Sequence, residues 1–267
     1  MATQDHRSKL MSKPQPRRAI VTQSVRITPN MQRVHLSGED LLTFPSVTAG
    51  AYIKLMFDLE GNPLKRPTDT SQVAMRTYTV AHFDAEKPEM VLDMVIHADG
   101  GKTGPASAWA TSTKPGDIIT LAGPGSSKGL SEQYDWILLA GDMTALPSIR
   151  NHLAELPVQT KGYAVIKIED EKDAVTLKKP EGVTVIWEHE QSLPFRLDQL
   201  PWLDGNPTVW VACEFSDMRA IRTWLKDEKS VAHENIYISS YWKKGRSEDQ
   251  HKIEKRQDSE AYAKTLA

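Results

Sequence analysis

A change of rhythm near the middle constrains this chain more than any other feature. Up to about residue 123, short runs of β-branched and aromatic residues recur between turn signals. After residue 134, longer apolar runs with few polar interruptions alternate with helical segments. One layer architecture does not serve both patterns, so the chain is read as two domains in series, which its 267 residues suit.

In the first half, residues 18–28, 31–37, 51–59, 75–83, 90–97 and 117–122 are predicted strands, with one short helix over 105–111. Pro29-Asn30, Glu60-Gly61-Asn62-Pro63 and Lys114-Pro115-Gly116-Asp117 supply the turns. Six short antiparallel strands in so few residues predict a small barrel, which removes exposed edges. In the second half, strands are predicted at 136–140, 163–168, 183–188, 209–212 and 236–239, and helices at 146–156 and 217–229. That alternation predicts an open, mainly parallel sheet covered on both faces. Ser247 followed by Glu248 and Asp249 reads as the start of a charged C-terminal helix. The expected division is a flexible N-terminal tail over 1–17, a β-barrel domain over 18–126, an α/β domain over 127–242 and the C-terminal helix over 243–267.

Composition narrows the function classes. A net charge of −2, with 25% charged and 39% apolar residues, describes an ordinary soluble protein and gives no reason to expect a nucleic-acid or membrane partner. Cys213 is the single cysteine, so an intrachain disulfide and a cysteine-based zinc site are both excluded. No secretion signal or membrane-spanning run is evident, and a cytoplasmic location is expected. A monomer is expected because no extended apolar patch stands out.

Four constellations carry chemistry. Arg76-Thr77-Tyr78-Thr79 lies on a predicted strand, with Arg76 and Tyr78 on one face. That arginine can clamp a phosphate and that ring can stack on a flat cofactor, although the motif alone also fits an ordinary strand with a surface arginine. Residues 97–107 run from a strand through glycines into a helix opened by Pro105, whose free N–H groups suit a diphosphate. Gly141-Asp142-Met143-Thr144 follows the first strand of the second domain, where open α/β sheets bind ligands. Tyr237 through Arg246 ends the last strand with aromatics followed by cations, a composition for a flat anionic ligand or for a basic solvated exit.

Together these segments resemble the siderophore-interacting proteins, FAD-dependent ferric-siderophore reductases of the ferredoxin-reductase-like superfamily. Residues 51–55, Arg76-Thr77-Tyr78-Thr79, 97–109, 122–125, 141–147, 210–214 and 241–245 carry the likeness, in the family's order. The resemblance implies that Arg76, Tyr78 and Thr79 hold FAD, that Gly104, Pro105, Ala106 and Ser107 cradle its diphosphate, that Val95, His97 and Thr103 line the site, and that Thr144 approaches the flavin from the second domain. It further implies that Lys54, Lys128, Trp242, Lys244 and Arg246 attract the ferric siderophore. NAD(P)H or a ferredoxin is the implied electron donor.

Two positions depart from the family. Met143 stands where a glutamate is common, and Cys213 where a glycine is common. A side chain replacing that glycine is expected to crowd a nicotinamide, which turns attention to an electron-carrier protein as donor. A general flavin reductase on the same fold and a non-catalytic ferric-siderophore carrier are the competing readings.

Overall fold

A computed structural model describes residues 16–66, 73–96, 98–99, 102–126 and 128–264; at 98–99 and 102–103 it describes the backbone alone. The expected tail therefore lies outside the described residues up to residue 15, and Arg17 already belongs to the first strand.

The first domain is an antiparallel sheet of seven strands. They are β1 (Arg17–Thr28), β2 (Met31–Ser37), β3 (Tyr52–Phe57), β4 (Ala74–Thr79), β5 (His82–Asp84), β6 (Glu89–Val95) and, beyond the small hairpin of β7 (Ala98–Asp99) and β8 (Lys102–Thr103), β9 (Ile118–Gly125). Their order is β4-β3-β9-β1-β2-β6-β5. Seven strands replace the expected six because the predicted strand over 75–83 breaks at Val80-Ala81, where the chain turns from β4 toward β6. Ala81 N–H donates to Val91 O at 2.9 Å and so brings the two ends of the sheet together. The inner faces of all seven strands meet in one core, from Ala19 and Val34 through Ile53, Leu55 and Phe57 to Leu92 and Leu121. Helix α1 (Pro105–Ser112) plugs that core, with the Trp109 ring edge-on to Phe57 at 6.3 Å.

The second domain is a parallel sheet of β10 (Trp136–Asp142), β11 (Gly162–Lys167), β12 (Val183–Glu188), β13 (Pro207–Glu214) and β14 (Ile236–Trp242), ordered β12-β11-β10-β13-β14. Helices α2 (Leu146–Glu155), α3 (Leu193–Asp198) and α4 (Phe215–Thr223) cover it, and α4 continues as a π turn over Trp224–Glu228. The short α3 has no counterpart among the predicted elements. Alternate residues of each strand feed separate clusters on the two faces: Trp136, Leu138 and Ala140 on one side, Ile137 and Leu139 on the other. Helix α5 (Glu248–Ala263) begins with the expected cap, Ser247 accepting from Gln250 N–H. No helix among the described residues is long and apolar enough to cross a membrane.

Helix α2 joins the domains. Arg150 donates to Asp93 of β6 at 2.8 Å, and Arg33 of β2 grips the same carboxylate at 2.7 Å. Asn151 donates to Val80 O at 3.0 Å. A second buried carboxylate, Asp173, crosses the junction from the α/β side to Thr28 Oγ1 at 2.6 Å and Asn30 N–H at 2.9 Å. Burial opposes the charge on Asp93 and Asp173, but their hydrogen-bond partners outweigh it and hold both carboxyls below the usual range.

The inward side of α2 carries His152, 5% exposed, whose ring lies 5.1 Å from that of Trp210. Burial lowers its pKa from 6.5 to about 4. The unfolded chain therefore binds a proton in that window that the folded chain refuses, and stability falls as pH drops from 6.5 toward 4. The loss approaches about 1.4 kcal/mol per pH unit at full slope. Urea unfolding across this range is expected to show a shallower pH dependence for His152→Phe, which keeps an aromatic ring against Trp210 without a titrating group.

Candidate functional site

Strand β4 is an edge of the barrel sheet, paired with β3 on one side only: Leu55 with Arg76, Lys54 with Thr77, Ile53 with Tyr78 and Tyr52 with Thr79. Arg76 is half-buried, its guanidinium donating to Met75 O at 2.8 Å, and it forms no ion pair among the described residues. Tyr78 is half-buried and packs on the barrel core that also holds Ala106, Trp109 and Ala110 of α1. Burial first, and the nearby Glu248 carboxylate second, push its phenol up, so the ring stays neutral. The free edge of β4 is covered by the first turn of α5, where Glu248 accepts from Thr77 N–H at 2.9 Å and from Thr77 Oγ1 at 2.7 Å.

Helix α1 starts against the same core. Gly104 is its N-cap without a side-chain cap, and Pro105 is its first residue. Glycine at the N-cap offers this helix start no capping side chain of its own. Among the described residues, nothing lies within 4 Å of a Cβ built at Gly104. Ala106 and Ser107 are buried on the inner side. Thr103 lies in β8, paired with Ala98, while His97 falls outside the described residues. Val95 pairs with Met31 and packs toward the cluster under α2, at the domain junction.

In the second domain, the carboxyl ends of β10, β13 and β14 converge. Asp142 accepts from Thr144 Oγ1 at 2.5 Å and from Trp242 Nε1 at 2.7 Å, and burial raises its pKa. Thr144 is therefore tied back to Asp142; it does not cap α2, whose N-cap is Ala145. Glu214 accepts from Ser216 and Asp217 N–H, so the start of α4 is filled by its own carboxylate. The expected obstruction by Cys213 is corrected. Its side chain is fully buried among Val211, Phe215 and Ile221, because strand alternation turns it into the cluster beneath α4. Burial, then the Asp142, Asp217 and Glu214 carboxylates, push the thiol well up, which makes it inert. Met143 is likewise buried, under α2.

The candidate cations do not form one cluster. Lys54 lies beside the α5 start; burial, then Lys252, lower its pKa, while Glu248 and Asp249 oppose that. Lys244 and Arg246 occupy the β14–α5 turn, with Arg246 paired to Glu254 at 2.9 Å and Lys244 exposed. Trp242, 40% exposed, stands beside them. Lys128 bonds Glu234 O at 3.1 Å, before β14 begins. It is therefore separated from Lys244 by the length of that strand, about 20 Å. Three residues absent from the expected set also belong to this region. Glu248 covers the β4 edge, and Ser148 and Tyr241 meet Thr79; Ser148 and Thr79 lie 3.1 Å apart. Glu248 was visible only as a helix-start acid, and nothing local marks Ser148.

Known proteins share this fold. Residues 134–245 match the family described as siderophore-interacting protein, and residues 20–128 match the siderophore-interacting FAD-binding domain. The chain belongs to the siderophore-interacting protein family. It is 31% identical to ferric vibriobactin reductase ViuB of Vibrio cholerae over 84% of this chain and 88% of that protein. It is 27% identical to an NADPH-dependent ferric-chelate reductase of Escherichia coli, over 81% and 89% respectively. Its fold matches the siderophore-interacting protein SipS of Aeromonas hydrophila with a TM-score of 0.82 at 27% identity, covering 92% of this chain and 99% of that one.

The residues present fit FAD. A helix start with glycine at its N-cap and an arginine with no carboxylate partner among the described residues suit its diphosphate, and the half-buried Tyr78 offers a ring for its flat system. Arg76→Ala on this edge strand is expected to cost less than about 1 kcal/mol of stability. It is expected to weaken FAD binding at least tenfold, the worth of a charge-assisted hydrogen bond. Thermal unfolding of the apoprotein and fluorescence titration with FAD measure the two effects separately.

Proposed function

We propose that this chain reduces the iron of a ferric siderophore from Fe(III) to Fe(II) and so releases it, with FAD held on the barrel face between β4 and α1. The observation that carries the reading is that Tyr78 and helix α1 pack on one barrel core, with Arg76 on the same face of β4 as Tyr78. It is supported by the ferric reductases to which the chain is similar.

Bound FAD supplies the redox chemistry, taking two electrons together and passing them on singly. The protein's own residues bind and steer. Arg76 and the α1 amides hold the diphosphate, and Tyr78 holds the ring. Lys54, Lys244 and Arg246 set a positive field at the entrance, where an anionic ferric chelate gathers more strongly at low salt than at high salt. Trp242 adds an exposed aromatic face beside them. One added electron lowers the charge on the metal and loosens the hard oxygen donors that hold Fe(III). Lys128 is left out of this patch. A cytoplasmic site of action fits the single free thiol.

NADPH is the donor favoured by the Escherichia coli relative, and the buried Cys213 leaves the crevice unobstructed by its thiol. A reduced ferredoxin is the second reading. It is favoured by the start of α4, whose amides Glu214 already fills and which Asp217 makes more acidic, a poor seat for a dinucleotide's phosphates. Anaerobic titration of the FAD-loaded protein with NADH, NADPH and reduced ferredoxin decides between them by which one bleaches the flavin. A colourless protein that binds ferric siderophore would instead mark a carrier. Charge reversal at Lys54 and Lys244 together is expected to raise the KM for an anionic ferric chelate about tenfold or more while leaving FAD content unchanged. An unaltered KM would remove those lysines from substrate capture.

A further inference from the structure

The crevice that Cys213 leaves free is covered by another side chain. In the order β12-β11-β10-β13-β14, successive strands run outward from β10 to one side and from β13 to the other. The topological switch point therefore lies between the carboxyl ends of β10 and β13, where open parallel sheets take dinucleotides. Strand β10 ends at Asp142 and β13 at Glu214, and β14, on the far side of β13, ends at Trp242. Trp242 Nε1 donates to Asp142 Oδ2 at 2.7 Å. An indole rooted on β14 thus reaches the end of β10, and to do so it lies across the end of β13, where Glu214 is its register partner. The chain just beyond is fastened over the same edge, with Lys244 N–H donating to Glu214 Oε1 at 3.2 Å.

The indole is held as a latch is held, by one bond at its tip. Trp242 is 40% exposed and is not among the side chains packed into the two apolar clusters of this domain. Asp142 also accepts from the Thr144 hydroxyl at 2.5 Å and the Thr144 N–H at 2.9 Å, so its carboxylate keeps partners when the indole leaves. Rotation of the Trp242 side chain breaks one charge-assisted hydrogen bond and uncovers the strand ends without moving the backbone.

We propose that Trp242 sets the affinity for the electron donor, a pyridine dinucleotide, by closing this crevice, and that Asp142 is the positioning residue that holds it closed. A site open for only a fraction of the time binds its ligand more weakly by that fraction. The inference rests on the dinucleotide reading of the donor given above. It adds a second role to Trp242, whose exposed face was assigned to the chelate.

The test uses FAD-loaded protein as wild type, Trp242→Phe and Trp242→Ala. Phenylalanine keeps an aromatic ring but has no N–H to give to Asp142. Binding of NADP+ and NAD+ to the oxidised protein is measured by calorimetry. Flavin reduction by NADPH and NADH is followed anaerobically by stopped flow with no chelate present, which separates the half-saturating donor concentration from the limiting rate. Trp242→Phe is expected to bind a dinucleotide about tenfold more tightly than wild type, the worth of one hydrogen bond to a charged group. Its half-saturating donor concentration is expected to fall by the same factor, a gain that loss of structure would not produce. Affinity equal to or weaker than wild type overturns the proposal, because the bond to Asp142 then holds nothing closed. If Trp242→Phe does not load FAD, Trp242→Ala decides in the same way. Absence of dinucleotide binding in all three proteins, with the flavin still reduced by ferredoxin, would overturn the dinucleotide reading together with the proposal.

Discussion

Helix α2 holds two domains in one register. Within four residues it presents Ser148 to Thr79, Arg150 to Asp93 and Asn151 to Val80 O, all on the barrel. Asp93 is the buried anchor, gripped by Arg33 from its own domain and by Arg150 from the other. A buried charge of this kind is costly without partners, so the domains are driven to dock in the one arrangement that supplies both arginines. Docking in turn brings the end of β4 under α2 and under the exit of β14. The face assigned to the cofactor is thus built by the barrel and closed by the second domain.

Two helix starts in this protein show how one kind of backbone feature serves opposite ends. That of α1 is opened by Gly104 and Pro105 and carries no capping side chain. That of α4 is filled by Glu214, with Asp217 in its first turn. The first leaves the N-cap without a side chain; the second has satisfied its own amides and surrounds itself with negative charge. The distinction follows from one side chain, glycine against glutamate at the N-cap.

Much of this was legible in the chain before any coordinates. Turn residues and hydrophobic period located the strands, and 183–188 was predicted at its observed limits. The Ser247 cap was legible because capping chemistry is local. The break of the fourth predicted strand was not, since Val80-Ala81 looks apolar and extended, and only the closure onto Val91 bends it. Cys213 was misjudged for a related reason. A residue type at a strand end does not say which face it joins until the neighbouring helix is in place. Lys128 was grouped with Lys244 on charge alone, and only the direction of β14 separates them. Ser148 carries no local signal, because its meaning comes from a strand sixty-nine residues away.

The central claim is that electrons pass from the flavin held at β4 and α1 to the iron of a ferric siderophore. Its most direct test omits any biological donor. The FAD-loaded protein is reduced with stoichiometric dithionite under anaerobic conditions and mixed with a ferric catecholate or ferric hydroxamate in the presence of a ferrous-specific chelator. The account predicts return of the oxidised flavin absorbance in step with trapped Fe(II). A flavin that stays reduced while the siderophore keeps its Fe(III) would contradict it.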